Sequence, residues 1–191
     1  DSSMSLTFCS PTFDCRLQCQ QCRATVARTG RRCRRRCCVG APYCSSHWPS
    51  VYGLKVKPAL YGKGLFAARA FRRGQWICPY GGEHLTTAQL EARYPGDTTA
   101  PYALSEGGYV EDAGCRRGIG SMANTADPAH GQQNNALYYV RGRGRNRRLW
   151  LKATHTVRVG DEVLCNYGHV FDVASWNKTV RHRSNRPCRG P

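Results

Sequence analysis

The sequence predicts a mainly β fold of small sheets with few short helices, preceded by a small zinc-stabilised module. Eight of the twelve cysteines lie before residue 45, which marks off an N-terminal segment. From residue 51 onward, short apolar runs alternate with glycine and proline, as in short strands joined by tight turns. A chain of 191 residues has room for one domain and an appendage. We therefore expect a Cys-rich module at 1–50, a main domain at 51–171 and a basic C-terminal helix or tail at 172–191.

Apolar runs bounded by turn residues predict seven strands in the main domain, at 54–57, 65–67, 75–80, 108–111, 136–141, 148–153 and 162–164. Helical signal is sparse. Thr86 or Thr87 can cap AQLEARY, which Pro95 and Gly96 end, and Asp172 can cap VASWNKTVRH.

Basic residues dominate the charge of the chain. Lys and Arg number 29 against 12 acidic residues, which gives a formal net charge of +17 and makes polyanions the expected partners. Arginine clusters at 31–36 and 141–148 and in the acid-free tail 178–189 can contact phosphates, serve nuclear import or form a solvated surface. We predict contact with DNA or nucleosomes. No apolar run reaches the roughly 18 residues of a membrane helix and no secretory signal is visible, so we expect an intracellular protein without membrane association.

The cysteine spacing predicts zinc. Disulfides are the common alternative in Cys-rich segments, but this one is arginine-rich and lacks a signal, as expected in a reducing compartment. CRATVARTGRRCRRRCCVGAPYCSSH reads C-x10-C-x10-C-x2-H and resembles short Cys3His knuckles; its last pair lets one turn present two tetrahedral ligands. The first predicted site is Cys22, Cys33, Cys44 and His47. A second site is predicted to use Cys15, Cys19, Cys37 and one other cysteine.

A glycine turn opens the main domain. Gly62, Gly64 and Ala67 spell the G-x-G-x-x-A of a dinucleotide-binding turn. That unit needs a helix of about a dozen residues and then a second parallel strand. LFAARAFRR is barely long enough, Pro58 lies in the preceding strand, and no further βαβ unit follows. We therefore expect this turn not to bind a dinucleotide.

Four motifs in order carry a family resemblance. YGKGLFAARAFRRGQWICPYGGEHLT at 61–86 resembles the opening of the SET-domain lysine methyltransferases. Three further segments are similar to later motifs of that family and follow in its order: PYALSEGGYVEDAGCRRG, GIGSMANTADPAHGQQNNA and LKATHTVRVGDEVLCNYG. The resemblance covers roughly 53–171 and implies a SET-type (β-clip) fold of small, knotted sheets.

The resemblance also implies a cofactor, S-adenosylmethionine, held by the glycine turn through its backbone. Its expected contacts are Lys63, Gly64, Leu65, Tyr102, Asn124 and Thr125. The third motif departs from the family pattern. Thr125 and Ala126 replace the usual His-Ser, and an insertion delays the second asparagine to Asn134 or Asn135.

Tyr167 matches the catalytic tyrosine of the family, whose hydroxyl orients the amine and the departing methyl. The expected substrate channel is formed by Tyr80, Leu104, Cys165 and Trp176. Cys165 stands where the family carries Tyr or Phe, and the smaller side chain favours di- or trimethylation. Many members of the family close the channel with a C-terminal C-x-C-x4-C zinc site; in this sequence only Cys188 follows residue 165, so the C-terminal helix is expected to close the channel instead.

The predicted function is an S-adenosylmethionine-dependent protein-lysine N-methyltransferase acting on histones in nuclear chromatin, with the cytoplasm as the alternative location. A second interpretation is a nucleic-acid-binding zinc protein whose SET-like domain is catalytically silent. The altered Asn-Thr-Ala-Asp motif favours the second interpretation, whereas Tyr167 and the glycine turn favour the enzyme.

Overall fold

Four small antiparallel sheets and two short helices make up the part of the chain that the computed structural model describes, namely residues 19–38, 42–95, 100, 102–115 and 118–167. Within these ranges, no helix has the length and apolar character needed to cross a membrane. The predicted mainly β fold is confirmed. The helix predicted after Asp172 lies outside the described residues.

The N-terminal module is built on a two-stranded sheet, β1 (Cys19–Gln21) and β2 (Arg36–Cys38). Its buried side chains are four cysteines and one alanine: Cys22, Ala24, Cys33, Cys37 and Cys44. So small a set cannot bury the apolar area that a stable domain needs. The module therefore requires another source of stability.

Helix α1 (Trp48–Tyr52) joins the module to the main domain. It follows a 3₁₀ turn at Ser45–His47, carries Pro49 in its first turn and ends at Gly53, whose φ of 70° only glycine adopts readily. Trp48 and Tyr52 are buried in the main core. The helix thus crosses the predicted boundary at residue 50, and that boundary stays a prediction.

The glycine turn lies in a hairpin between β3 (Leu54–Pro58) and β4 (Lys63–Ala67). The two strands are antiparallel, with Pro58 opposite Lys63. The chain therefore forms a strand immediately after Gly62, where a dinucleotide-binding unit would form a helix. The structure agrees with the rejection of that unit.

A three-stranded sheet has β10 (Arg148–Ala153) at its centre, between β5 (Trp76–Pro79) and β9 (Ala136–Arg141). Side chains alternate along β10, so Leu149 and Leu151 are fully buried.

A β-bulge shifts the register between β5 and β10 in this sheet. Leu151 pairs with Cys78, but Lys152 pairs with Trp76, so that Ile77 is the extra residue. As a result, Cys78 is buried while Trp76 lies on the outer face beside Lys152.

The other three-stranded sheet has β8 (Tyr109–Asp112) between β6 (Glu83–Leu85) and β7 (Ala103–Glu106). The sequence predicted the strand at 108–111 and missed the two that flank it. All four residues of β8 are buried, including the two acids Glu111 and Asp112.

Helix α2 (Thr87–Arg93) packs beside this sheet. Thr86 and Gln89 form a reciprocal capping box, which confirms the predicted cap at Thr86. At the other end, Arg93 donates to Glu83 and to Asp112, each at 2.7 Å. Removing Arg93 would leave both buried carboxylates without this counter-charge.

The main core draws on all parts of the domain. Its fully buried apolar residues include Leu54, Leu65, Phe71, Leu149, Val157 and Val163. Burying each such side chain stabilises the fold by about 1.5–3 kcal/mol. The SET-type expectation of small sheets around one core is met.

Candidate active site and metal cluster

The segment 162–167 lies between two parts of the third motif. Leu164 forms a parallel bridge with Asn124 on one side, and Cys165 forms one with Ala136 on the other. The Cys165 amide donates to the Asn124 carbonyl at 2.8 Å. The strand predicted at 162–164 is present as isolated bridges, in which Glu162 pairs with Phe66 of β4, Leu164 with Asn124, and Cys165 with Ala136 at the start of β9.

Asn135 fixes this segment in place. Its side-chain amide donates to the Glu162 carbonyl at 2.8 Å and its oxygen accepts from the Leu164 amide at 3.0 Å. Asn134 instead accepts from the Ala126 amide within the insertion. Of the two asparagines that the sequence left open, Asn135 is the one that holds the 162–167 segment.

The glycines of the turn serve different purposes. Gly62 has a φ of 67°, and no atom lies within 4 Å of the position that its Cβ would occupy. Gly64 is buried, and its Cβ would stand 2.1 Å from the Glu162 carboxylate. Gly62 thus supplies a left-handed conformation beside open space, whereas Gly64 makes room for Glu162.

Asn124 connects the turn to the 162–167 segment. Its amide donates to the Glu162 carboxylate at 2.9 Å and to the Lys63 carbonyl at 3.3 Å. The Val163 amide donates to the Leu65 carbonyl at 2.7 Å. Burial raises the pKa of Glu162, and the Asn124 amide opposes that rise. Sequence reasoning missed Glu162 as the residue around which these groups gather.

Tyr167 contacts the residue that precedes Asn124 in the chain. Its half-buried hydroxyl donates to the Ala123 carbonyl at 2.5 Å. Because Ala123 precedes Asn124, two consecutive residues join the predicted catalytic tyrosine to the predicted cofactor turn. Thr125, the next residue along, is half-buried.

Tyr80 and Leu104, two of the predicted channel residues, belong to or pack against the same core as Tyr167. The Tyr80 hydroxyl donates to the Tyr102 carbonyl at 2.7 Å. Tyr102 and Leu104 are half-buried and pack on the core that contains Tyr80. Trp176 lies outside the described residues.

Cys165 is fully buried against Tyr138, a residue for which no role was predicted from the sequence. Burial raises the pKa of the Cys165 thiol to about 12, against a smaller opposing effect of a hydrogen bond with the Tyr138 side chain. Tyr138 also packs edge to face on Tyr80, with 5.4 Å between ring centroids, and donates to the Gly120 carbonyl at 3.0 Å. The alternation of apolar and polar positions over 136–141 could have identified Tyr138. Residues two apart in a strand lie on the same side, so a buried Ala136 places Tyr138 in the core as well.

The buried acids of the first two motifs, Glu83, Glu111 and Asp112, have structural roles. Glu83 and Asp112 hold Arg93, as described above. Glu111 is fully buried and accepts from the Leu149 amide at 2.9 Å and the Gly82 amide at 3.3 Å. Burial raises its pKa to about 7 despite these donors.

The insertion of the third motif forms an open, shallow cavity of about 350 Å³ lined by Ala126, Pro128, Gly131, Gln132, Gln133 and Asn134. Asp127 anchors it, because its carboxylate accepts from the hydroxyl of Tyr61, the residue before Gly62. None of the predicted catalytic, cofactor or channel residues lines the cavity. The contacts above, rather than this cavity, define the candidate active site.

The first predicted metal site comes together in the module. The ligand atoms of Cys22, Cys33, Cys44 and His47 all lie within 4.8 Å of one another. The Cys33 and Cys44 sulfurs are 3.9 Å apart, and the Cys44 sulfur is 3.3 Å from His47 Nδ1. A tetrahedral zinc ion with the usual bond lengths needs about 3.5–3.8 Å between ligand atoms. The cluster could therefore hold zinc.

The protonation of the cysteines links metal binding to pH. Burial acts to raise the pKa of Cys22, but donors that include the Cys44 amide, 3.3 Å from its sulfur, lower it overall. Burial raises the pKa of Cys44 to about 11. Since zinc binds thiolates, its binding must release protons and must weaken as the pH falls.

The second predicted metal site stays a prediction. Cys19 is disulfide-bonded, and a disulfide sulfur is not a thiolate ligand. Cys37 is a buried free thiol outside the four-ligand cluster, and burial raises its pKa. Cys15 lies outside the described residues.

Comparison with known families agrees with this geometry. The family model of the SET domain matches residues 62–168. This is more than half of the chain, so the protein belongs to the SET-domain family. No curated protein matched the chain.

Solved structures with a similar fold include apo ctPRC2 with two mutations in Ezh2 (21% identity, TM-score 0.49), covering 65% of this chain. Another is ctPRC2 in an autoinhibited conformation bound to S-adenosylmethionine (22% identity, TM-score 0.49), which covers 69% of this chain. A third is apo ctPRC2 in an autoinhibited state (21% identity, TM-score 0.49), which covers 68% of this chain. The match covers only 16–17% of the length of those chains.

Proposed function

We propose that this protein is an S-adenosylmethionine-dependent protein-lysine N-methyltransferase that acts on histones in nuclear chromatin. Membership of the SET-domain family supports the reaction class. The observation that carries the proposal is the pair of contacts made by consecutive residues, Ala123 with Tyr167 and Asn124 with Lys63. They bring the phenol and the cofactor turn to one place.

S-adenosylmethionine, when bound, supplies a methyl group on a sulfonium sulfur. The residues proposed to hold it are Lys63, Gly64, Leu65, Tyr102, Asn124 and Thr125. The open space beside the left-handed Gly62 supports this, because it leaves the backbone of the turn accessible. Gly64 would contribute its backbone only, since the space on its Cβ side belongs to Glu162.

The chain's own residues must present a neutral amine in line with the methyl group. Deprotonating a lysine at pH 7.4 costs about 4 kcal/mol, which a dry channel offsets by disfavouring the ammonium. Alignment of the two reactants contributes roughly 7–11 kcal/mol of the barrier. With its proton donated to the Ala123 carbonyl, the Tyr167 oxygen acts as an acceptor that orients the amine.

The decisive experiment uses tritiated S-adenosylmethionine, core histones and a pair of matched variants. Tyr167→Phe removes the hydroxyl that donates to Ala123, and we expect histone labelling to be lost. Tyr109→Phe is the control, because its hydroxyl also donates to a backbone carbonyl, that of Arg147 at 2.7 Å, away from the proposed site. Labelling that survives Tyr167→Phe would overturn the assignment. If the unmodified protein labels no histone, the silent nucleic-acid-binding interpretation is favoured.

We further propose that the product is di- or trimethyllysine. Cysteine at 165 is smaller than the Tyr or Phe expected there, and the hydroxyl of the neighbouring Tyr138 donates to the Gly120 carbonyl. Mass spectrometry of the product under excess enzyme tests this. Cys165→Tyr should shift the product toward monomethyllysine, whereas an unmodified enzyme that stops at one methyl would contradict the proposal.

DNA of the nucleosome is the proposed docking partner. The arginines of 31–36 are all exposed, although several also brace the module. For example, Arg32 donates to the Gln21 carbonyl and Arg36 to the Cys19 carbonyl. Binding to nucleosomes should fall steeply with added salt, as expected for phosphate contacts, and binding to a histone peptide should not. An equal response of both would contradict docking on DNA.

A further inference from the structure

The outer face of the β5–β10–β9 sheet carries three aromatic rings side by side. Trp76 lies edge to face with Tyr139 and with Trp150, at 6.4 Å between centroids in both pairs. Tyr139 is opposite Trp150 in the sheet, and the bulge at Ile77 brings Trp76 to the same side. Tyr139 is 40% exposed and the two tryptophans are partly exposed. Solvent therefore reaches this aromatic group.

Two cations lie over these rings. The Arg141 guanidinium is 4.6 Å from the centre of the Trp150 ring and 5.0 Å from that of Trp76. The Lys152 ammonium is 5.2 Å from Trp76 and 5.6 Å from Tyr139. We call these five residues the stacking surface. Its rings and its positive charges are interleaved within contact distance.

No carboxylate balances this charge along the strands that form the surface. Strands β5, β9 and β10 contain no Asp or Glu, and the loop 142–147 adds three arginines and no acid. Within these strands and this loop a cationic peptide would find no counter-charge, which argues against a histone tail or a methylated lysine as the occupant. A polyanion with flat rings is complementary to both features.

We propose that the stacking surface binds single-stranded RNA. Unpaired bases would stack on the rings while phosphates pair with Arg141 and Lys152, a mode that aromatic residues on a sheet support. A duplex keeps its base faces stacked internally and offers the protein only edges and phosphates. Because cellular DNA presents its bases paired, RNA is the natural source of unpaired bases.

This activity is separate from the proposed methyl transfer. Along β9, Tyr138 faces the core beside Cys165, whereas Tyr139 faces solvent. RNA would thus bind on the opposite face of the sheet from the candidate active site. Binding can be measured without S-adenosylmethionine or histones, so failure of one proposal does not decide the other.

The first test measures fluorescence anisotropy of a labelled mixed-sequence RNA decamer with the full, zinc-loaded chain. Tyr139→Ala should weaken binding roughly 5- to 150-fold, the usual effect of losing one stacked base. Tyr139→Phe, which keeps the ring, should bind like the unmodified protein. Affinity for a duplex of the same length should be unchanged by Tyr139→Ala. Near-ultraviolet circular dichroism checks the fold, and Tyr139→Leu replaces the alanine variant if that variant does not fold.

A second pair of variants distinguishes RNA binding by the stacking surface from a general effect of the protein's positive charge. Arg141→Gln and Arg28→Gln remove the same charge, but Arg28 is exposed in a turn of the N-terminal module. Only Arg141→Gln should lower the salt dependence of RNA binding, by about 0.7 in the slope of log K against log salt. Equal effects of the two variants, an unaltered affinity in Tyr139→Ala, or single-stranded DNA bound about tenfold tighter than RNA would each overturn the proposal.

Discussion

The N-terminal module and the main domain differ in the kinds of side chain that they bury. The module gathers sulfur and imidazole ligands around one point, and the buried cluster formed by its described residues consists of four cysteines and Ala24. The main domain buries a continuous apolar core whose members run from Trp48 to Cys165. Tyr43 packs against both clusters and stacks edge to face on Tyr52 at 5.9 Å. Neighbouring parts of one chain thus depend on different stabilising forces, and each should respond to its own perturbation.

The largest expected effect is the loss of a zinc ligand. Cys33→Ser should abolish zinc binding by the first site and unfold the module, because structural zinc contributes on the order of 10–16 kcal/mol in isolated zinc-finger peptides. The main domain should keep its own unfolding transition. Native mass spectrometry measures the zinc content and hydrogen exchange locates the unfolding.

Cys37→Ser is the matched control for this experiment. Cys37 is a buried thiol of the same module outside the four-ligand cluster, so its loss should leave the first zinc ion in place. Loss of a further zinc equivalent in Cys37→Ser would instead support the predicted second site. Unfolding of the main domain in Cys33→Ser would contradict the division between the two regions.

The main domain should respond most to the loss of a core aromatic. Phe71→Ala should lower the free energy of unfolding by about 3–5 kcal/mol, because the ring is fully buried and its loss leaves a cavity. Zinc content should not change. Urea unfolding followed by tryptophan fluorescence measures the effect, with Val159→Ala as the control because Val159 is 66% exposed. Equal destabilisation by the two variants would contradict the assigned core.

Sequence reasoning succeeded where a local pattern determines the structure. The C-x10-C-x10-C-x2-H spacing identified four residues whose ligand atoms meet, and the Thr86 cap followed from helix-start chemistry. The alternation over 148–153 predicted a strand with the observed bounds. In each case the information lies within a few residues or in a known ligand geometry.

Sequence reasoning failed where the structure depends on distant partners. Strands β6 and β7 are formed by their pairing with β8, and their own residues carry little strand signal. Glu162 was taken only as a motif residue, yet it fills the space that Gly64 leaves and accepts from Asn124. The contact between Tyr138 and Cys165 likewise joins residues that no spacing rule relates.

The two regions should also respond to pH in opposite directions. Burial raises the pKa of Glu111 from an ordinary 4.5 to about 7, so the folded main domain holds its proton more tightly than the unfolded chain. This contribution to stability is complete below pH 4.5 and is lost as the pH rises through about 7. It amounts to about 3 kcal/mol in the free energy of unfolding. Zinc bound by the predicted cluster of the module should instead be held more weakly as the pH falls, because protons compete for its ligands.

Glu111→Gln tests the assignment of the main-domain effect. Denaturant unfolding between pH 4.5 and 8 should show a decline in stability for the unmodified domain and a flatter profile for the variant, which cannot ionise. The glutamine presents one acceptor in place of two to the Leu149 and Gly82 amides, so a lower absolute stability at pH 5 is expected. An unchanged pH profile in the variant would assign the dependence to another group.

The smallest predicted effect concerns a helix cap in the main domain. Thr86→Ala removes the oxygen that accepts from the Gln89 amide and half of the capping box, which should cost about 1 kcal/mol. Thr86→Ser keeps the oxygen and should retain most of the stability, so the pair separates capping from loss of the side chain. Because α2 ends at Arg93, which bridges Glu83 and Asp112, fraying should stop at that ion pair. Hydrogen exchange should therefore quicken only in the first turn of α2, and an effect that reached the module would show that the two regions are coupled.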